Sequence, residues 1–413
     1  MPVTEAPWTK AAAILRQQRF DRWFCYVFAG CLAAYTLTTQ DSGEIASRLI
    51  SAALFLLTAV YLVSRPVRAF VQFPLLALLG MTLYGIVQTL WFPQRIVYDG
   101  WSGVLFWFTA ATITFLAAQL LRDPGRASLF RHIFVLFGSA VCVLDLLEQA
   151  SRTNRYFWLI PSKYEYVYGS FAYWNNFAQL VELLLPVTLW MAFGRRKPDP
   201  RYILLAALQV SAVGASGSRA GSALIFGELF AVLLLAFWRN RKPVFLYAGA
   251  VTLVASGLFV YAAGTSQVMQ KFSQSDQWSV RRDVNRSSLA MIKQRPLSGW
   301  GLESYASVYP MFARMDSGVF VNRAHNDWLQ WAAEGGIFFA SLMLLVFIWS
   351  VRPAVASLWG VGLIAICLHA AVDYPFARFG VCGWYFALLG MLAVWRPEER
   401  RGRRSERNEE NRK

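Results

Sequence analysis

At 413 residues, with 56% hydrophobic and 16% aromatic side chains and only 15% charged ones, the chain is far more apolar than an ordinary soluble domain. That balance excludes a water-soluble globule and points to a chain folded in a bilayer. The formal net charge of +16 is accounted for by basic clusters in short connections and at the C-terminal end, so no nucleic-acid partner is expected.

Apolar windows of about 20 residues, long enough to cross a hydrocarbon core, recur along the chain, about twelve in all. The first five cover 23–38, 45–63, 70–90, 101–121 and 130–147. Residues 1–22 carry charges but no apolar region ending in a small-residue cleavage site, so the first span is expected to act as an uncleaved signal. SRTNRYFWLIPSKYEYVYG, 151–169, is rich in Tyr and Trp and is expected at the membrane interface. Four more windows follow, at 171–193, 202–215, 220–238 and 243–263.

The connection after 263 runs for about sixty residues, a length that is either functional or disordered. Its composition predicts order: DVNRSSLAMIKQ reads as a short helix, RPLSGWG as a turn, and LESYASVYPMFARM as an amphipathic segment on the membrane surface. Windows at 328–350, 354–372 and 379–395 close the apolar part, and the charged tail 396–413 is expected to be disordered. The expected fold is an all-α polytopic membrane protein. It has nine helices in 1–263, a long and partly helical extracytoplasmic loop at 264–325, three helices in 326–395 and the tail.

Orientation follows from the basic residues, which collect on the cytoplasmic side. Arg65 and Arg68, the run Arg122, Arg126 and Arg131, the cluster GRRKPDPR at 194–201, RNRK at 239–242, Arg352 and the tail all fall on one side. Connections on the other side, such as TQDSGE at 39–44, are poorer in base. Both termini are therefore expected in the cytoplasm and the long loop outside. All five cysteines, Cys25, Cys31, Cys142, Cys367 and Cys382, fall in apolar windows without metal-ligand spacing, so neither a disulfide nor a metal site is expected.

A basic residue in a short outer connection is informative. Arg219, in VGASGSRAGSALIF, is either an arginine reaching for headgroups or part of an anion site. Ser216 and Ser218 can cap the following helix, Gly217 and Gly221 admit close approach, and the helix start presents free N–H groups. A guanidinium there suits bidentate contact with phosphate. Arg281 and Arg282 in the long loop are further cations, readable also as a solvated face, with Asp283 as a nearby partner. His325, one of only three histidines, opens NRAHNDWLQWAAEGG. A neutral imidazole takes a proton from a hydroxyl, and Asn326 or Asp327 can cap the next helix and hold the ring at the membrane boundary.

Other polar residues inside the windows carry a structural reading beside a functional one. Glu182 and Glu228 are expected to be protonated, paired with another helix, or lining an acceptor cavity. His369 and Asp373 are spaced for an i,i+4 pair that braces the site, while Asn175 and Asn176 fall at the outer rim, within reach of sugar or diphosphate.

HNDWLQWAAEGG resembles the His-Asn signature, with a glycine eleven residues after the histidine, of the bacterial O-antigen ligase and polymerase superfamily. SGSRAG is similar to that family's Ser-x-Ser-Arg-x-Gly stretch, and RRDVNRSSLAMIKQRPLSGWGLESY to its Arg, short helix, Pro-Leu-x-Gly-x-Gly loop. GSFAYWNNFAQLVELLLP and LHAAVDYP also resemble family segments, so that the likeness covers about 169–375. Phe339, where many members have a small residue, and Asn285, in place of an aromatic, depart from the pattern.

The resemblance implies a metal-independent, inverting glycosyltransferase of the bacterial inner membrane, with no cofactor. Its donor would be an undecaprenyl-diphosphate-linked glycan and its acceptor a lipid A-core sugar or another glycan. It also implies that His325 is the general base, Arg219 the diphosphate clamp, and Arg281 its partner, the doublet with Arg282 leaving the register ambiguous by one residue. Ligase is the expected activity, with a glycan polymerase as the alternative. A lipid-linked glycan transporter is the rival from another class, but it predicts internal repeats and mid-membrane charges, and no repeat is visible.

Overall fold

The computed structural model describes residues 7–38, 43–64, 70–92, 96–164, 166–193, 198–240, 249–254, 257, 278–313 and 320–396. The helices α1 (Pro7–Leu37), α2 (Gly43–Val63), α3 (Phe73–Trp91), α4 (Val97–Leu120), α5 (Pro124–Ala150), α6 (Trp174–Phe193), α7 (Pro200–Ser216) and α8 (Arg219–Asn240) come first. They are followed by α9 (Trp278–Gln294), α10 (Tyr305–Val308), α11 (Asp327–Ser357), α12 (Val361–His369) and α13 (Phe379–Val394). Among the described residues the only sheet is a hairpin of two-residue strands, Arg155–Tyr156 and Ile160–Pro161, inside the aromatic segment.

The chain is helical and membrane-type, with a different tally from the twelve windows. Among the described residues seven helices are long and apolar enough to cross a membrane: α2, α3, α4, α5, α6, α8 and α11. Helix α7 has 17 residues, α13 has 16 and α12 only nine, so apolar sequence there forms shorter helices than a full crossing uses. The window 354–372 is divided: α11 continues through Pro353 to Ser357, the chain breaks at Leu358 with φ 65, and α12 follows. Most of the window 243–263 and the tail 397–413 lie outside the described residues.

Local signals set several helix ends. Asp123 and Asp199 accept hydrogen bonds from the amides of Arg126 (2.9 Å) and Arg201 (3.1 Å), each with proline next in the chain to start the helix. Helices α7 and α8 are separated by Gly217 in the left-handed region, φ 79. Ser218 Oγ accepts the Gly221 amide at 3.1 Å and so caps α8 at the residue before Arg219.

Helices α6 and α13 form the interior and are buried nearly all round, as expected for helices without a polar face. Helix α6 packs on α7, α8 and α12, and α13 packs on α4 and α1. Glycine lets backbones meet at two of these contacts: a Cβ on Gly362 of α12 would stand 2.4 Å from Glu182 O, and one on Gly390 of α13 would stand 2.3 Å from Thr114 O.

Two of the family-like stretches lock into each other. Helix α11 is interrupted at Gly336, φ 73, and the turn 295–301 fills the interruption. Trp300 N donates to Ala333 O (3.0 Å), Gly301 N to Glu334 O (2.9 Å) and Ile337 N to Pro296 O (2.8 Å). A Cβ on Gly336 would lie 2.0 Å from Leu297 O, and one on Gly299, φ 64, would lie 2.2 Å from Glu334 O. The glycines of both motifs are therefore required by backbone contact. Gln88 of α3 braces the joint: its Nε2 donates to Ser298 O (2.5 Å) and Glu334 O (2.7 Å), and its Oε1 accepts from Leu302 N (3.1 Å). The Glu334 carboxylate receives the amides of Glu303 (3.0 Å) and Tyr305 (3.2 Å). Helix α9 upstream of the turn, and the histidine stretch upstream of Gly336, are thus set against each other.

Candidate active site

His325 lies between the turn and α11, with its backbone left-handed at φ 50. That conformation costs a non-glycine residue roughly 1–3 kcal/mol and persists only where neighbours over-determine it. Here they do. Ala324 N donates to Gln330 Oε1 (3.1 Å), Asn326 Oδ1 caps α11 by accepting from Leu329 N (3.1 Å), and Asn326 Nδ2 donates to Ala371 O (2.8 Å). Asp327 N donates to Ala370 O (2.8 Å), and Asp327 Oδ2 accepts from Phe376 N (3.0 Å). Of the two capping candidates, Asn326 caps and Asp327 holds the 370–376 segment.

That segment brings Asp373 to the histidine. His325 Nδ1 stands 3.5 Å from Asp373 Oδ1, with the ring 29% exposed and the carboxylate fully buried. The spacing is longer than a formed hydrogen bond and is the kind that tightens when the ring gains charge. Nδ1 faces Asp373, which leaves Nε2 as the ring nitrogen not turned to the carboxylate. Tyr374 meets the His325 ring edge to face at 4.8 Å and donates its amide to Asp373 Oδ1 at 2.9 Å.

A polar chain links this pair to the start of α8. Ser218 Oγ donates to Asn175 Oδ1 at 2.7 Å, and Asn175 Nδ2 donates to Asp373 Oδ2. Serine, amide and carboxylate are satisfied in order, which fixes the Asn175 rotamer and places Arg219, the next residue after Ser218, beside the same network. The Arg219 side chain is exposed.

Arg281 on α9 approaches from the other side. Its Nη1 donates to Val372 O (3.0 Å) and its Nη2 to Tyr173 Oη (3.2 Å), while Nε is buried with no hydrogen-bond partner among the described residues. The Tyr173 ring stacks on Tyr374 at 6.1 Å with 4° between planes. Arg282 is exposed, and Asp283 pairs at 3.4 Å with Arg286 rather than with either arginine of the doublet.

Burial pushes the Asp373 carboxyl up, but the imidazoles of His325 and His369 and the Arg281 guanidinium outweigh it and hold the group below the usual carboxylate range. The phenols of Tyr173 and Tyr374 are pushed up, by burial first and then by Asp373. Arg323 is held above its ordinary range: burial lowers it, and the charge of Glu303, whose carboxylate is 2.8 Å away, more than offsets that. Together these make a carboxylate behind an imidazole, flanked by a guanidinium, with one ring face reachable from outside.

His325, Asp373, Asn175, Ser218 and Arg281 are therefore one cluster. Asn176 is not in it: its Nδ2 turns to Gln179 Oε1 at 2.9 Å on its own helix. The i,i+4 spacing of His369 and Asp373 survives only in the backbone, Asp373 N donating to His369 O at 3.0 Å. The His369 ring pairs with Glu182 instead, Nδ1 to Oε1 at 2.7 Å, because α12 ends at His369 and the chain carries Asp373 away toward His325. Tyr173, Tyr374 and the Val372 carbonyl escaped the sequence reading. The two tyrosines adjoin motif residues in sequence, yet no spacing rule marks a stacked pair drawn from segments about two hundred positions apart.

A family model described as O-antigen ligase matches residues 204–344, a stretch holding Arg219, Arg281, Arg282, His325 and Gly336. Comparison with curated proteins gives no match. Asn175, His369 and Asp373 lie outside the matched stretch; Asn175 and Asp373 are joined to it through Ser218 and His325. Over residues 204–344, about a third of its length, the chain is thus similar to the O-antigen ligase family, in support of the resemblance its motifs carry.

Proposed function

We propose that this protein is an O-antigen ligase, transferring a glycan from an undecaprenyl-diphosphate donor to a hydroxyl of a lipid A-core acceptor at the periplasmic face of the inner membrane. The acceptor oxygen attacks the anomeric carbon, its proton passes to His325 Nε2, and the bond from that carbon to the diphosphate oxygen breaks with inversion. The lipid diphosphate departs with the electron pair. Asp373 sets the ring orientation and stabilises the imidazolium as it forms. Arg219 and Arg281 hold the diphosphate charge that grows as the bond breaks, Arg281 with N–H donors left over after its two protein contacts. Arg282, exposed beside it, serves as an outer cation. The transfer proceeds without a metal.

The observation that carries this reading is the 3.5 Å approach of His325 Nδ1 to buried Asp373, with Arg281 anchored on the carbonyl of neighbouring Val372. The test is surface glycolipid from a deletion strain complemented with His325→Ala. Free core with unligated polymer supports the ligase reading. Core bearing a single repeat points instead to the polymerase, and unaltered ligation ends the role of His325.

A further inference from the structure

Beneath Asp373 lie three ionisable groups that the proposed transfer does not use. Glu182 on α6, Glu228 on α8 and His369 at the end of α12 are 0%, 3% and 0% exposed, on three helices that pack against one another. His369 Nδ1 and Glu182 Oε1 meet at 2.7 Å. Glu182 Oε2, His369 Nε2 and both oxygens of Glu228 have no hydrogen-bond partner among the described residues. Pro186, one turn after Glu182 and lacking an N–H, also releases the Glu182 carbonyl, against which Gly362 of α12 is packed.

Outside the trio itself, Asp373 and Arg281 are the charged groups among the described residues that act on it. Glu182 and Glu228 act on each other, Asp373 acts on Glu182 and His369 from the segment after α12, and Arg281 acts on His369 from α9. An uncompensated charge inside a membrane protein is costly, and like charges side by side cost more. Stripped of protons, the two carboxylates and the imidazole carry two negative charges. Two protons bring the group to neutrality, as a Glu182–His369 ion pair beside a neutral Glu228 acid.

We propose that Glu182, His369 and Glu228 form a buried proton-binding site, neutral with two protons bound, that releases one reversibly and so changes the charge beneath Asp373. The proton released is the one shared between His369 and Glu182, leaving an uncharged imidazole and a carboxylate. The added negative charge strengthens the hold of His325 on its own proton and couples transfer to the state of the buried site. That coupling rests on His325 acting as the base, whereas proton binding does not.

The test uses the full chain in lipid nanodiscs, with protons as the ligand, read by infrared difference spectroscopy between acidic and alkaline samples. The wild type is expected to show the carbonyl stretch of a neutral carboxylic acid at neutral pH and, between acidic and alkaline samples, loss of the imidazolium signal with a shift of the Glu182 carboxylate band. Glu228→Gln should remove the former, and Glu182→Gln or His369→Gln the latter. Glu228→Gln breaks no hydrogen bond among the described residues, so it decides the matter even if the other variants fold poorly. Spectra of Glu228→Gln identical to wild type overturn the proposal. In parallel, the pH profile of transfer by Glu182→Gln should move by about one unit, a tenfold change in proton affinity. If the infrared changes occur while His325→Ala transfers normally, the proton site stands and the catalytic reading fails. The opposite pattern sinks the site alone.

Discussion

His325 Nδ1 and Asp373 Oδ1 lie 3.5 Å apart although 48 positions separate them in sequence, one at the start of α11 and the other just beyond α12. The carboxylate is fully buried and the ring is not, so the pair has an inner end tied to the fold and a partly exposed outer end.

Removing the ring should remove the base. Transfer by His325→Ala is expected to fall about 10²–10⁴-fold with normal expression and unchanged donor binding. Asp373→Asn should also lower turnover, because the amide cannot balance an imidazolium. A pH–rate profile for Asp373→Asn that overlays the wild type would rule out the pairing.

Acid should weaken the segment that carries Asp373. A carboxyl held below its ordinary range contributes stability above about pH 3.9, its value in an unfolded chain, and loses it as pH falls through the lower folded value. The stability gap between wild type and Asp373→Asn should therefore be full near neutrality and close on acidification below about pH 4. Thermal melts of the two proteins across that range measure it, and a gap that widens in acid contradicts the assignment.

The joint between the turn and α11 should not tolerate a methyl group. Gly336→Ala combines a positive-φ backbone that only glycine adopts readily, costing roughly 1–3 kcal/mol for an L-residue, with a Cβ 2.0 Å from Leu297 O, so melting temperature and transfer should both drop. Gly227→Ala, where nothing lies within 4 Å, is the control and should melt like wild type.

Gln88 should matter for stability far more than its place on α3 suggests. Gln88→Leu strands the Leu302 amide, at about 1–3 kcal/mol for a buried group without a partner, and removes one of two donors from each of the Ser298 and Glu334 carbonyls. Thermal unfolding of the purified variant checks this, and a loss no larger than that of a surface substitution would show the brace to be dispensable.

Arg281 and Arg282 should separate kinetically. Arg281→Lys keeps the charge but cannot bridge Val372 O and Tyr173 Oη while presenting further N–H groups, so it should lose transfer by about tenfold or more. Arg282→Ala should lose less, the exposed side chain being screened by solvent. Equal losses, measured with the same donor, would reassign the doublet.

Composition alone settled that this is a helical membrane chain, because apolar runs longer than a soluble core helix leave few other solutions. Local chemistry likewise decided the break at Gly217 and the caps at Ser218 and Asn326, since each depends on a few adjacent residues, whereas the break at Gly336 rests on the distant turn 295–301 packed into it. Tertiary structure alone decided which partners meet. Spacing pointed His369 toward Asp373, but an i,i+4 rule holds only while the helix continues, and α12 ends at His369. Past that end the direction of each side chain is set by what packs around it. Glu182 claims one imidazole from inside the membrane, and the long loop, pinned by two glycine turns, delivers the other to Asp373.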